Sequence, residues 1–505
     1  MPNHLFDFFG SRLPDLDRRY IETQDGRLIS YRDLLARSAR MANALTELGV
    51  RPGDRVAVQV EKSPAVIDLY LGCVRAGAVF LPLNTAYTPA EIEYFLGDAE
   101  PALFVCDPAR RQALEPLSRR KGVPRTETLG ADEGGTLSER CAAAPDRIAD
   151  VACGADDTAA ILYTSGTTGR SKGAMLTHEN LRSNAATLAD YWRFTADDVL
   201  IHALPVYHTH GLFVATNVVL AAGAAMLFLP KFDPDQIVRL LARATALMGV
   251  PTFYTRLLQQ PGLTKAAARG MRVFISGSAP LLAETHREWL QRTGHAILER
   301  YGMTETGMNT SNPYDGERIA GTVGFPLPEV EIRVTDPDAG KPLAAETIGM
   351  LEVRGPNVFK GYWRLPEKTK AEFRPGGFFI TGDLGKVDAR GYVHIVGRGK
   401  DLVISGGFNV YPKEVESEID AIAGVVESAV FGVPHVDFGE GVTAVVVTQT
   451  SAKLSEADVI AVLAQRLAKF KLPKRVIFVP ELPRNTMGKV QKNALRETYA
   501  DLYKA

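Results

Sequence analysis

The chain of 505 residues carries 58 Lys and Arg residues against 59 Asp and Glu residues, which gives a formal net charge of −1. Because the two signs are intermixed and no polybasic face is evident, the sequence argues against nucleic acid or an anionic membrane as a partner. The length exceeds that of an ordinary single domain and predicts one large region with at least one smaller unit.

The first 150 residues alternate between helical and strand periodicity. The pattern predicts helices over 31–48 and 68–75 and strands over 55–60 and 78–82. After a Gly-, Ala- and acid-rich connection at 130–157, strands are predicted at 199–204, 224–229, 247–250 and 272–276. This alternation is typical of parallel sheets covered by helices, so the fold class is α/β with parallel-rich sheets.

The longest apolar stretch, residues 211–230, is interrupted by Thr216, Asn217 and a glycine. We therefore expect a buried helix that runs into a strand, and no membrane span. The N-terminus lacks a charged segment followed by an apolar core, and it contains acids that a transit peptide avoids. These features predict a cytoplasmic protein.

The four cysteines are scattered along the chain without the CxxC spacing of a zinc or redox site. They are Cys73, Cys106, Cys141 and Cys153. The pattern argues against a disulfide framework and favours a reducing compartment.

From residue 321 the pattern changes to short β-rich segments separated by Gly and Pro, which predicts a small β-barrel-like subdomain over about 321–399. After Gly397 the sequence is charged, then glycine-rich, and then begins a helix. The remainder has α+β periodicity over roughly 100 residues, the size of a small domain. We place a domain boundary at Lys400, between an N-terminal domain of residues 1–399 and a C-terminal domain of residues 400–505.

The segment from Tyr163 to Gly173, YTSGTTGRSKG, combines hydroxyl side chains, glycines and two cations. Glycines let the backbone approach a ligand, hydroxyl and N–H groups donate to phosphate oxygens, and Arg170 and Lys172 supply positive charge. The order differs from a Walker A loop, in which Lys and Ser or Thr directly follow the second glycine. The segment predicts a phosphate-binding loop of another class.

A second candidate site is ERYGMTET, residues 299–306. Tyr301 suits stacking on a purine, and Gly302 permits a tight turn. Thr304 can donate to a phosphate, and Glu305 can bind Mg²⁺ directly or through water. Together with the first loop, this segment predicts a nucleotide site.

Seven segments resemble, in order, the adenylate-forming enzymes, a superfamily that includes acyl-CoA synthetases, firefly luciferase and the adenylation domains of peptide synthetases. They are YTSGTTGRSKG, PVYHTHG, SGSAPL, ERYGMTE, FFITGDLG, GYVHIVGRGKD and PRNTMGKVQK. The resemblance covers essentially the whole chain. It implies two half-reactions: a carboxylate and ATP, with Mg²⁺, give an acyl-adenylate and pyrophosphate, and a thiol then displaces AMP.

The resemblance also implies the residues that bind ATP or AMP. They are Thr164, Ser165, Gly166, Thr167, Thr168, Gly169, Lys172, Ser278, Glu299, Tyr301, Gly302, Met303, Thr304, Asp383 and Arg398. The loop from Thr164 to Lys172 would hold the β and γ phosphates, and Glu305 would hold the magnesium. Tyr301 and the SGSAP turn would contact the adenine. Asp383 and Arg398 would hold the ribose.

The resemblance implies that Lys489 is the catalytic lysine, together with His208, Glu305 and Thr304 in the catalytic set. An ammonium on a long stem can neutralise the charge on the α-phosphate and on the attacking carboxylate in the transition state. Because Lys489 lies so far along the chain from the phosphate loop, it must arrive on a mobile C-terminal domain. Lys400 corresponds to the hinge residue of the family.

Polar residues in the region expected to bind the acid favour a dicarboxylate, because a second carboxylate must be paired when it is buried. PVYHTHG, GVPTFYTRLL and SGSAPL together resemble malonyl-CoA synthetases, in which an arginine, a histidine and a serine face the distal carboxylate. Here these would be Arg256, His208 and Ser278, with His210 either beside them or simply packed. Met308 would keep the pocket short, which favours malonate and then methylmalonate.

Two other functions remain open at this point: an aryl- or short-chain monocarboxylate–CoA ligase, and a non-catalytic nucleotide sensor. The expected thiol is CoA. Acylation of Lys489 by another enzyme would remove the charge that its role requires, so lysine acylation is a candidate form of regulation.

Overall fold

The structure, a computed structural model, describes residues 3–13, 15–164, 171–405, 408–435, 437–485 and 488–503. The strands in chain order are β1 Arg19–Thr23, β2 Leu28–Ser30, β3 Arg55–Gln59, β4 Val79–Pro82, β5 Leu103–Cys106, β6 Arg125–Thr128, β7 Thr158–Thr164, β8 Lys172–Thr177, β9 Val199–His202, β10 Ala225–Phe228, β11 Ala246–Gly249, β12 Val273–Ser276, β13 Leu298–Met303, β14 Gly307–Ser311, β15 Phe325–Pro326, β16 Glu331–Thr335, β17 Gly349–Arg354, β18 Gly361–Tyr362, β19 Phe379–Val387, β20 Val393–Arg398, β21 Val403–Ser405, β22 Phe408–Val410, β23 Val425–His435, β24 Gly439–Thr448 and β25 Arg475–Phe478.

The helices pack against these strands. They are α1 His4–Gly10, α2 Tyr31–Glu47, α3 Pro64–Arg75, α4 Pro89–Ala99, α5 Arg111–Arg120, α6 Thr136–Ala143, α7 His178–Tyr191, α8 Asn217–Ala222, α9 Pro234–Leu240, α10 Pro251–Leu258, α11 Ala283–Thr293, α12 Pro366–Ala371, α13 Pro412–Asp420, α14 Glu456–Ala464 and α15 Lys492–Thr498. A π-helical segment, His210–Thr216, leads directly into α8. In the described parts of the chain, no helix is both long and apolar enough to cross a membrane.

Two large sheets with parallel centres form the N-terminal part. One has the order β15-β14-β13-β12-β11-β9-β10-β1-β2, and the other has the order β18-β8-β7-β4-β3-β5-β6. The βα alternation read from the sequence is confirmed, because β9, β10, β11, β12 and β13 pair in parallel, as do β3, β4, β5, β6 and β7. Parallel strands place their carboxyl ends at one edge, where ligand-binding loops collect.

Helix α2 shows how the sequence specifies these layers. Ser30 accepts from the backbone of Asp33, and the Asp33 side chain accepts from the backbone of Ser30, so a capping box begins the helix. The apolar face of α2 then packs against α3, whose residues are all buried. Helix α6 differs from the prediction. It lies within residues 130–157, which were predicted as an irregular connection, and its Leu137 is buried in the core.

The remaining strands form two smaller sheets on either side of Lys400. The expected barrel-like subdomain is a four-stranded antiparallel sheet with the order β16-β17-β19-β20. Beyond Lys400, β22, β21, β24 and β23 pair in that order, and β25 pairs with β24. The α/β fold class with a separate C-terminal α+β unit is therefore confirmed. The four cysteines are free thiols.

Candidate active site

The two ends of the phosphate loop are held by the antiparallel hairpin of β7 and β8, in which Thr164 lies opposite Lys172. The hydroxyl of Tyr94 donates to the carbonyl of Ser171 at 2.8 Å, and that of Tyr163 donates to Asp98 at 2.5 Å. Helix α4 therefore fixes both ends of the loop. Of the predicted phosphate-binding residues, Ser165, Gly166, Thr167, Thr168 and Gly169 lie outside the described residues.

Lys172 and Glu305 meet around one tyrosine. The Lys172 ammonium lies 4.3 Å from the centroid of the Tyr362 ring and 3.4 Å from a carboxylate oxygen of Glu372. The Tyr362 hydroxyl lies 3.0 Å from Glu305 Oε1 and 2.8 Å from Glu372 Oε2. Burial raises the pKa of Glu305, so its carboxyl group gains from any cation that approaches it.

Mg²⁺ fits this site as a cation held mostly by the nucleotide. Among the described residues there is no cluster of three His, Cys, Asp or Glu side chains that could hold a metal alone. Mg²⁺ in nucleotide enzymes usually takes one or two carboxylates plus phosphate oxygens and water. Glu305, which is buried and lies near Lys172, would supply one such carboxylate, and phosphate oxygens and water would supply the other ligands.

The predicted ribose-binding residues lie together. Asp383 on β19 is directly opposite Arg398 on β20, and Arg398 Nε pairs with Asp383 Oδ1 at 2.6 Å. The Tyr301 hydroxyl donates to Asp383 Oδ2 at 2.5 Å. Asp383 is buried in the structure, and its oxygens form a fixed acceptor group next to the tyrosine ring.

Lys489 reaches this same place from the C-terminal domain. Its pKa is lowered, first by the surrounding protein and then by Arg398 and Lys400, against the opposing effect of Asp383. Lys489 is an exposed residue of the C-terminal domain.

The turn before Lys489 contacts the N-terminal domain directly. Gly488 has φ +73°, and a Cβ there would lie 3.0 Å from Thr252 Oγ1 on α10. Only glycine combines this left-handed backbone with such close packing. The turn that precedes Lys489 therefore packs against α10, the helix that also carries Arg256.

The other ERYGMTET residues divide between binding and structure. A Cβ at Gly302 would lie 2.0 Å from the carbonyl oxygen of Gly307, so only glycine fits. Met303 and Thr304 are partly exposed beside it, at the turn between β13 and β14. Glu299 is buried, and its carboxylate lies 3.3 Å from His286 and accepts from the Gly321 backbone. Among the described residues, the side-chain contacts of Glu299 are with His286 and Gly321 and not with the other predicted nucleotide residues, so its role in nucleotide binding stays a prediction.

Two histidines of PVYHTHG face the SGSA turn. Ser278 Oγ lies 3.2 Å from His210 Nδ1, and His210 Nε2 has no partner among the described residues. Ser278 has φ +72°, a conformation that costs energy for a residue other than glycine and is often found at functional sites. The His210 backbone N–H donates to His208 Nδ1 at 3.3 Å. Burial and then Arg300 lower the pKa of His208 to about 4, so it is neutral near pH 7.

Arg300 is a buried residue near this turn that the sequence interpretation did not single out. Its side chain is 3% exposed, and within the described chain it forms no ion pair, while its Nε and Nη2 atoms have no hydrogen-bond partner. A Cβ at Gly277 would lie 2.5 Å from Arg300 Cζ, so the guanidinium packs beneath the SGSA turn. Burial lowers its pKa to about 9. After burial, the positive charge of Arg300 is the next cause that lowers the pKa of both His208 and His210, so the three side chains lie within electrostatic range of one another.

Arg256, predicted to bind the distal carboxylate, is exposed near the end of α10. The described part of the chain gives it no ion pair, and no contact joins it to His208 or Ser278. The assignment of Arg256 stays a prediction, and Arg300 is a second candidate for the same role, because a buried unpaired cation requires a counterion and an exposed one does not. Strand alternation was the available signal, since it turns Arg300 to the opposite face of β13 from Glu299 and Tyr301.

Met308 and Lys400 occupy the remaining predicted positions. Met308 is buried opposite Gly302, and its backbone N–H and C=O both bond to the Asn184 side chain. That clamp fixes Met308 next to the pocket. Lys400 lies in a single 3₁₀ turn, Gly399–Asp401, between β20 and β21. The prediction that it is a hinge remains a prediction.

Comparison with known proteins agrees with this site. A feruloyl-CoA synthase from Amycolatopsis sp. is 36% identical over 94% of this chain and 94% of its own. A malonate–CoA ligase from Arabidopsis thaliana is 34% identical over 94% of this chain and 85% of its own. The crystal structure of ATP-bound MatB from Rhodopseudomonas palustris is 66% identical, covers 100% of both chains and has a TM-score of 0.98. The apo form of that protein has a TM-score of 0.87, so the present domain arrangement is closer to the ATP-bound form.

The family comparison covers both domains. The model of the AMP-binding enzymes matches residues 12–363, and that of the AMP-binding enzyme C-terminal domain matches residues 414–489. The chain belongs to the AMP-binding enzymes, the adenylate-forming family that its motifs resemble.

Proposed function

We propose that the protein is a malonate–CoA ligase, which uses ATP to form malonyl-CoA, AMP and pyrophosphate through a malonyl-adenylate. The observation that carries this proposal is Arg300, a buried guanidinium without a counterion beside Ser278 and the two neutral histidines. A dicarboxylate would supply the missing charge with its distal carboxylate. A monocarboxylic acid with an apolar tail would leave Arg300 unpaired, at a cost of several kcal/mol.

The proposed first half-reaction uses the groups that meet near Asp383. The proximal carboxylate of malonate attacks the α-phosphorus, and the bond to the pyrophosphate oxygen breaks. Lys489 lies close enough to Asp383 and Arg398 for its ammonium to stabilise the charge that develops on both reactants. Lys172 would hold the departing pyrophosphate, and Glu305 would hold the Mg²⁺ that polarises the phosphates.

In the proposed second half-reaction the CoA sulfur attacks the acyl carbonyl, and AMP leaves. Lys489 would stand in the way of this thiol, because its charge acts on His208 and is itself influenced by Arg398, so the C-terminal domain would turn away before the second step. We place that rotation at Lys400, because it stands between sheets that belong to different domains. His208, next to His210 and near Lys489, would line the thiol path.

A Lys400→Pro substitution tests the hinge. Proline restricts φ to about −65° and constrains the residue before it, so we expect adenylation to continue while rotation is blocked. Pyrophosphate release in a single turnover should stay within about threefold of wild type, and thioester formation should fall at least about 100-fold. Thioester formation at the wild-type rate would show that the pivot lies elsewhere. Lys453→Pro, in an exposed loop of the C-terminal domain, is the control.

A panel of acids tests the function itself. Pyrophosphate release with ATP, Mg²⁺ and CoA should be greatest with malonate, followed by methylmalonate, because Met308 limits the pocket. Acetate, butyrate and coumarate should give at most about 1% of the malonate kcat/KM, the size expected from an unpaired buried charge. Greater turnover of a monocarboxylate than of malonate would instead support an aryl- or short-chain monocarboxylate–CoA ligase. Absence of turnover with every acid would favour the nucleotide sensor.

We further propose a cytoplasmic location and regulation by acylation of Lys489. The ammonium has exposed surface, so a modifying enzyme could reach it when the C-terminal domain turns away. An acyl group would remove its charge and stop adenylation. Mass spectrometry of the protein isolated from its native host would detect the modification.

A further inference from the structure

Lys62 is a buried lysine that no step above uses. It lies between β3 and α3, its residue is 8% exposed, and it forms no ion pair within the described ranges. Its ammonium nitrogen lies 2.9 Å from His202 Nδ1 and 2.8 Å from the His202 carbonyl oxygen, with the Phe228 ring centroid at 4.3 Å. Burial lowers the pKa of Lys62 well below its usual value. Both polar contacts of this buried amine are with His202, so we expect Lys62 to act on that residue.

The partners of His202 fix the state of its ring. His202 Nε2 lies 2.9 Å from the Gly211 carbonyl oxygen, an acceptor without a proton, so Nε2 carries the hydrogen. Nδ1 is then an acceptor, and Lys62 donates a hydrogen bond to it. The contact of Lys62 with Nδ1 thus favours the tautomer of His202 that can donate to Gly211, and its contact with the His202 carbonyl holds the ammonium in place.

Gly211 is the point at which this chain of hydrogen bonds reaches the acid pocket. It follows His210 in the π-helical segment His210–Thr216, and a Cβ at Gly211 would lie 2.1 Å from the Pro205 carbonyl oxygen. The Gly211 carbonyl accepts from both His202 and the Thr216 hydroxyl. π-helical turns frequently mark functional sites because they redirect side chains. Here the turn directs His210 toward Ser278.

We propose that Lys62 and His202 are positioning residues for malonate, because they fix the Gly211 carbonyl and with it the orientation of His210 beside Ser278 and Arg300. The connection spans the two large sheets, since Lys62 follows β3 of one and His202 ends β9 of the other. Lys172, Tyr301, Asp383 and Arg398, which are predicted to bind the phosphates, adenine and ribose, form no hydrogen bond or ion pair with Lys62, His202 or Gly211 in the described part of the chain. Ser278 is the one residue of this chain of contacts that is also predicted to meet the nucleotide. The role therefore concerns the acid and not ATP, and it rests on the proposed function.

The experiment measures KM for malonate and KM for ATP separately in Lys62→Met, His202→Leu and His202→Gln. Methionine keeps the apolar stem against Phe228 and removes the donors, so we expect about a tenfold rise in KM for malonate and a change of less than twofold for ATP. His202→Leu should do the same. His202→Gln supplies an amide N–H for the Gly211 carbonyl and should recover at least half of the loss.

Tyr31→Phe is the matched control, because it removes another buried hydrogen bond to a backbone carbonyl, that of Ala224 at 2.6 Å. It should lower the melting temperature without changing either KM. Unchanged KM values in Lys62→Met and His202→Leu, or equal rises for malonate and ATP, would overturn the proposal. If Lys62→Met does not fold, the two His202 variants decide by the same criterion. A wild-type enzyme that does not use malonate would instead overturn the proposed function.

Discussion

Arg300→Met is expected to lower kcat/KM for malonate by roughly 100-fold, which corresponds to about 3 kcal/mol, while KM for ATP changes less than twofold. The reason is that Arg300 is the buried cation of the acid pocket and has no carboxylate of its own. Steady-state kinetics with malonate and ATP varied in turn measure both effects. Arg300→Lys should recover only part of the activity, since an ammonium lacks the planar two-pronged geometry of a guanidinium.

The same substitution should make the unliganded protein more stable. An unpaired buried ion costs several kcal/mol, and methionine fills a similar volume without that cost, so the free energy of unfolding should rise by on the order of 2 kcal/mol. Urea unfolding without ligands measures this difference. A variant that is both less active and less stable would indicate that Arg300 serves the structure.

Arg256→Met separates the two arginines. Because Arg256 is exposed and without an ion pair in the described residues, its removal should change kcat/KM for malonate by less than about fivefold. If Arg256→Met abolishes malonate use and Arg300→Met does not, the original interpretation of the sequence is right and the assignment from burial is wrong.

Lys489→Ala is expected to lower the rate of adenylation by about 100- to 1000-fold, or about 3–4 kcal/mol, because it removes the mobile positive charge beside Asp383 and Arg398. Thioester formation from synthetic malonyl-adenylate and CoA should stay within about twofold, since Lys489 is displaced in that step. Lys453→Ala, an exposed lysine of the same domain, is the control. Equal loss in both half-reactions would contradict the assignment.

The pH dependence of Lys489→Arg adds an independent measurement. The pKa of Lys489 is lowered from its usual value, and adenylation requires the charged form, so wild-type activity should be lost as the pH rises through that lowered pKa. Arginine keeps its charge to higher pH. The residual activity of Lys489→Arg should therefore decline at a higher pH than that of wild type. Superimposable alkaline limbs would mean that another group titrates there.

Much of the architecture followed from local patterns. The helix at α2, the strands β9 to β12 and the helix before β10 lie where periodicity predicted them, because such signals depend on neighbours along the chain. Residues 130–157 were predicted as irregular and contain α6, since the short helix is stabilised by burial of Leu137 in the core and not by local sequence.

The candidate site was predictable where a motif carries its own geometry. Asp383 and Arg398 fall opposite each other on paired strands, and Thr164 and Lys172 face across a hairpin. The environment of Glu299 was harder to predict, because the residue type at a motif position does not reveal that its carboxylate contacts His286. Tyr362 and Glu372, which surround Lys172, came from segments without a recognisable motif.

The sequence by itself determined the family, the chemistry of adenylation and the need for a lysine that arrives from a separate domain, because these depend on motif residues and their order. Only the tertiary structure shows which of the two arginines is buried, and the proposal that Arg300 meets the acid depends on that difference. Both Arg256 and Arg300 lie near strand ends or inside motifs, and alternation along β13 gives the face of Arg300 but not its burial. Their difference arises in the folded chain, where Arg300 packs beneath the SGSA turn and has no ion pair with any described residue, while Arg256 is exposed. The cost of that unpaired charge exists only in the folded chain.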